Sequence, residues 1–207
     1  MLRQHRYRHL LVVALVLTLC SGVIGCGTLT SAASTFHPDG PLISTHVISP
    51  TRTPKAPPTP QRLLIPSIGV NALIERVGIV SDGDLETPQK NPWVDTGWYN
   101  DGPLPGQQGS SVIDGHLDRP GGYPAVFWYL RNVEIGDQVE VINSNGKKLF
   151  FRVTDVEYYP PTQAPLQEIF GNSGGNYLNL ITCAGDWIPS LQQTTLREVV
   201  YSTLISK

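Results

Sequence analysis

The stretch DQVEVINSNGKKLFFRVTDVEYY, residues 137–159, limits the chain's architecture most. Apolar and polar residues alternate on both sides of Asn145-Gly146, and that dipeptide between two alternating runs is a strong β-hairpin signal. A period of two gives each strand one face to bury, so the hairpin needs a sheet to pack against. Further β-type runs supply it. RLLIPSIGVNALIERVGI is interrupted by Pro66 and Gly69, as expected of short or edge strands, and SSVIDGH, YLNLITC and LREVVYSTLI complete the set. Helical material is scarce: AVFWYLRN after Pro124 and APLQEIFG, ended by Gly171, supply a turn or two each. The reading is a mainly β domain, barrel or sandwich, of six or more short strands with few helices. No internal repeat is found.

The folded part is preceded by two stretches of different character. Residues 1–9 carry Arg3, Arg6 and Arg8 without an acid, and Leu10–Gly25 is free of charge. That is the pattern of an export signal. Residues 1–29 are therefore expected to be a signal peptide or a membrane anchor. Val23-Ile24-Gly25-Cys26 also fits a lipoprotein cleavage box, in which Cys26 becomes the lipidated N-terminus. Residues 30–61 hold seven prolines and little apolar periodicity. They read as a disordered stalk carrying a domain of residues 62–207 outside the cytoplasm. A net charge of −2 and the lack of a basic stripe argue against a nucleic-acid partner.

Exported location makes the cysteine count informative. Cys20 and Cys26 belong to the N-terminal run, which leaves the domain with Cys183 alone, in NLITCAGD. An unpaired cysteine in an oxidising compartment is a candidate reactive thiol. The alternatives are a buried cysteine acting as a small apolar residue, or a disulfide to Cys26. A nucleophilic thiol needs a proton partner, and His116 in SVIDGHLD is the domain's one histidine. Both residues stand where an apolar strand is expected to meet a glycine turn, a place from which side chains reach a cleft. A third group would stabilise an oxyanion. Arg197, at the head of the last strand, and Arg119, near His116 in sequence, are both candidates, and chemistry alone does not choose. No His, Cys and carboxylate cluster has ligand spacing, so neither a metal nor a cofactor is expected.

The Gly-His turn, the Leu-Ile-Thr-Cys strand and the arginine-led last strand resemble the sortases, and most closely their class F group. The likeness runs in order through RLLIPSIGVNALIERVGI, TGWYNDGPLPGQQGSSVIDGHLD, GDQVEVINSNGKKLFFRV, LNLITCAGD and LREVV. It implies an eight-stranded β-barrel and a membrane-attached cysteine transpeptidase acting at the cell surface. It further implies Cys183 as nucleophile, His116 as acid and base, Arg197 as oxyanion stabiliser and Thr182 as a substrate-binding residue. The implied substrates are surface proteins with a Leu-Pro-X-Thr-Gly-like motif, cut between Thr and Gly, with an amine such as a cell-wall precursor, or water, as acceptor. DWIPSLQQTT, after Cys183, departs from the family pattern and is read as a loop shaping the substrate groove. Two other readings fit parts of this pattern. A lipoprotein binding module with a buried thiol is one. The other is an L,D-transpeptidase, whose Ser-x-Gly-Cys pattern is absent here.

Overall fold

The computed structural model describes residues 56–81 and 83–206. The expected signal or anchor, and the stalk before residue 56, lie outside the described residues. The folded body takes in two residues assigned above to the stalk: β1 spans Pro60–Ile65 and pairs with strands on both sides. Further strands are β2 (Val70–Val77), β3 (Thr96–Tyr99), β4 (Gly109–Asp114), β5 (Asp118–Arg119) and β6 (Tyr123–Pro124). They are followed by β7 (Gln138–Asn143), β8 (Lys148–Tyr159), β9 (Asn176–Ile188) and β10 (Gln193–Ser206). Eight of them close a barrel in the order β1-β2-β3-β4-β9-β10-β8-β7, and β5 and β6 form a separate two-stranded ribbon. The resemblance implied this barrel; strand patterning alone had left a sandwich open.

The β7–β8 hairpin forms as its sequence demands. Gly146 takes φ 82°, its N–H donates to the Asn143 carbonyl at 2.8 Å, and the Asn145 side chain accepts from the Lys147 N–H at 3.0 Å. Inward-facing residues of the alternating strands fill the barrel: Leu63, Ile65, Val139, Val141, Phe151, Leu178, Leu180 and Val200 are buried there. The 3-10 turn Leu130–Asn132 closes one side with Leu130, joined by Phe127. The expected helix after Pro124 is thus a single 3-10 turn, too short to need periodic patterning.

The helix α1 (Leu166–Gly171) packs on the outside of the barrel. Ile169 buries against Val112 of β4 and Val199 of β10, a contact of about 1.5–3 kcal/mol by apolar burial. The Asn179 amide donates to the Ile169 carbonyl at 2.7 Å, and the Ser110 hydroxyl donates to the Asn172 carbonyl at 3.2 Å. A short helix that is marginal by itself is thereby held against β4 and β9.

Candidate active site

Cys183 is not at a strand end. β9 continues past it to Ile188, because Gly185, at φ 74°, supplies the extra residue of a β-bulge instead of a turn. The pairing records the insertion: Ala184 faces Leu196, yet Trp187 faces Thr194. The Thr195 hydroxyl accepts from the Asp186 N–H at 3.0 Å, and any Cβ on Gly185 would strike that hydroxyl oxygen. DWIPSLQQTT is therefore mostly strand as well, a two-stranded arm whose turn is limited to residues 189–192. The loop expected there is corrected accordingly: the bulge lets both strands run on.

The ladder places Arg197 directly opposite Cys183. Cross-strand partners project from the same sheet face with Cβ atoms about 4.5–5.5 Å apart. The Arg197 guanidinium is oriented by donating to the Thr194 hydroxyl at 2.9 Å and to the Leu196 carbonyl at 3.1 Å. Arg119 lies instead on the β5–β6 ribbon, its guanidinium 5.7 Å from the Tyr123 ring centre. Of the two candidate arginines, Arg197 is thus the one that pairs with Cys183 in the ladder, a relation that spacing could not show. Cys183 itself is only partly buried and is free.

His116 comes from the end of β4, which runs parallel to β9 with Asp114 opposite Ile181. His116 lies two residues past that pair, on the turn that leaves β4. Gly115 is clamped on the way: its N–H donates to the Ile181 carbonyl at 3.2 Å, and its carbonyl accepts from the Thr182 hydroxyl at 2.7 Å. A Cβ on Gly115 would lie 2.7 Å from Phe127 and 2.8 Å from Val126, so a glycine is required for this approach. The His116 ring packs at 4.9 Å on Trp93. Burial pushes its pKa below the usual histidine value, and the negative charge of Asp118 opposes that shift.

Thr182 is buried, at 3% exposure. Its hydroxyl holds the His116 turn, and strand alternation turns it away from the face of Ile181 and Cys183. That outer face carries a groove of about 420 Å³, lined by Ile79, Leu85, Phe170, Ile181, Arg197 and Val199 among others. One wall is α1. The other includes Ile79 and Leu85; further along the chain Glu75 fixes the backbone, its carboxylate accepting from the N–H groups of Gln89, Lys90 and Asn91. Trp93, Leu85 and Phe170 escaped sequence reasoning, since each sits in an irregular or very short element with no periodicity to mark a buried face. The four-residue β3 escaped for the same reason.

Asp114 is a further unanticipated feature. It is buried, with Oδ1 lacking a hydrogen-bond partner and lying where a Cβ on Gly97 would be. Burial pushes its carboxyl well above the usual range, and Glu86 adds to the shift. Among the described residues no group of His, Cys, Asp and Glu has the makings of a metal site. No described helix is long and apolar enough to cross a membrane.

A family model for the sortase domain matches residues 63–205. Among solved structures, the complex of Streptococcus agalactiae sortase C1 with MTSET is 22% identical, with a TM-score of 0.55, over 71% of this chain and 67% of that one. Group B Streptococcus Pilus Island 1 sortase C2 is 25% identical, with a TM-score of 0.54, over 70% of this chain and 73% of that one. A lid mutant of sortase A from Corynebacterium diphtheriae is 18% identical, with a TM-score of 0.56, over 74% of each chain. No curated protein matches the chain.

Proposed function

From the premise that this chain belongs to the sortase family of cysteine transpeptidases, we propose that Cys183 is its nucleophile, His116 its acid and base, and Arg197 its oxyanion ligand. The observation that carries this reading is the facing of Cys183 and Arg197 across the β9–β10 ladder, beside a groove that Arg197 lines. A carbonyl attacked by the Cys183 thiolate develops negative charge on oxygen, and a guanidinium oriented in advance stabilises that charge without reorganising. His116 protonates the leaving amine and later takes a proton from the acceptor. Thr182 acts by holding the His116 turn in place.

The substrate in this reading is a surface protein with a Leu-Pro-X-Thr-Gly-like motif, cut between Thr and Gly. The apolar lining of the groove suits the Leu-Pro end. Sortases are cell-envelope enzymes, and this one is read as held at the membrane by its N-terminus. The five sequence segments described above favour the class F group.

The test is incubation of the enzyme with a labelled Leu-Pro-X-Thr-Gly peptide library and mass spectrometry for a thioacyl adduct on Cys183. Cleavage that survives Cys183→Ala undiminished refutes the assignment.

A further inference from the structure

A transpeptidase needs two sites, one for the peptide it cuts and one for the amine that replaces the leaving group. The groove above accounts for the first. A second hollow, of about 430 Å³, is lined by Cys183 itself. It includes Ala184 and Glu198, which strand alternation sets on the opposite sheet face from Ile181 and Arg197.

We propose that this second hollow, with Trp128, Tyr158, Trp187, Asp118 and Glu198 in its walls, binds the acceptor as a primary ammonium. The inference rests on the transpeptidase reading above. Its chemistry selects a cation. Three carboxyl groups, Asp118, Asp186 and Glu198, face the space against one guanidinium, Arg131. Arg131 is already engaged: it lies 4.5 Å from the Trp128 ring centre and donates to the Trp128 carbonyl at 3.0 Å. Indole and phenol faces attract ammonium groups, and Trp187 is 59% exposed on the arm beyond the Gly185 bulge.

Glu198 is the centre of the site. It is 1% exposed and accepts a hydrogen bond from the Tyr158 hydroxyl at 3.1 Å. It follows Arg197 in β10 and faces Thr182. Burial pushes its carboxyl above the usual range, with Arg131 and the Tyr158 hydrogen bond opposing, so it takes up a proton more readily than an exposed glutamate. The acceptor, R–NH3+, gives one proton to the Glu198 carboxylate. Its freed lone pair bonds to the thioester carbonyl carbon, and the C–S bond breaks with its electron pair on Cys183. A second nitrogen proton passes to neutral His116. The products are the amide, a thiolate, an imidazolium and a protonated Glu198, which returns its proton to water.

The test uses the full chain with a labelled Leu-Pro-X-Thr-Gly peptide and three nucleophiles. Triglycine presents an α-amine, Nα-acetyl-lysine amide a side-chain amine, and hydroxylamine is uncharged at mildly basic pH. Glu198→Gln and the exposed-site variant Trp187→Ala are expected to raise the KM of the better ammonium acceptor about tenfold more than the KM of the peptide. Hydroxylamine should lose far less than that acceptor in both variants. The triglycine and acetyl-lysine arms distinguish a peptide terminus from a side chain as the source of the amine. Equal losses for all three nucleophiles, or KM ratios like those of the unsubstituted chain in both variants, overturn the proposal. If the unsubstituted chain forms no thioacyl adduct, the transpeptidase assignment falls and this inference with it. Adduct formation with unaltered KM ratios refutes the inference alone.

Discussion

Thr182→Val tests whether one hydrogen bond sets the position of His116. The Thr182 hydroxyl donates at 2.7 Å to the Gly115 carbonyl, and the residue is 3% exposed. Valine nearly preserves the volume, so no cavity opens. What is lost is the partner of a backbone carbonyl for which water is a poor replacement. Leaving a buried acceptor unsatisfied costs about 1–3 kcal/mol, a large share of a typical domain's ~5–15 kcal/mol but not enough to unfold it. The remaining ties, from the Gly115 N–H to the Ile181 carbonyl at 3.2 Å and from the Phe127 N–H to the His116 carbonyl at 3.0 Å, keep the turn attached while allowing it to shift. Misplacement of a reacting group by about 1 Å costs on the order of a hundredfold in rate. Urea unfolding followed by tryptophan fluorescence should therefore show a lower midpoint with an unchanged slope. Peptide-hydrolysis kcat/KM should fall by about ten- to a hundredfold. Thr182→Ser keeps the donor and should retain both quantities within about twofold in rate. A valine variant with the original midpoint and rate refutes the reasoning, as does a serine variant that fails equally.

Arg197→Lys removes the planar fork of donors and keeps the charge; kcat is expected to drop about a hundredfold or more in the peptide assay, and a rate near that of the unsubstituted enzyme would redirect attention from β10. Asp114→Asn should stabilise the protein by an amount that grows with pH. The raised carboxyl keeps its proton in the native state from about pH 4 upward, so the native state binds the extra proton and stability falls as pH rises through the raised value. Urea midpoints at about pH 5 and about pH 8 should separate variant from original more at the higher value, and a flat difference would contradict this. Asp118→Asn takes away the charge that props up the His116 pKa against burial. The acidic limb of its bell-shaped kcat/KM profile should move to lower pH, and an unmoved or raised limb would show that another group titrates there.

Much of the fold was legible because it is written in local chemistry. The Asn145-Gly146 hairpin, the breaks at Pro66 and Gly69 and the alternating runs of β4, β8, β9 and β10 follow from turn preference and period-two burial. The pairing of Cys183 with His116 as candidates was also readable, from their being the one thiol and the one imidazole of the domain. Alternation, however, assigns faces and leaves register open.

Register decided the rest. The parallel β4–β9 pairing, made between segments far apart in sequence, sets the strand that leads to His116 beside the strand that carries Cys183. The β9–β10 ladder sets Arg197 opposite Cys183, while Arg119 stands on the β5–β6 ribbon. Gly185 looked like the residue of a turn; in the folded protein it forms a bulge, since cross-strand partners are present on both sides of it. Trp93 meets His116 from an irregular segment whose preceding residues the Glu75 carboxylate gathers. By itself the sequence singled out the candidate residues for the chemistry and the strands that bear them. Their distances and partners depended on closure of the barrel, because only long-range hydrogen bonding fixes how far one strand slides along another.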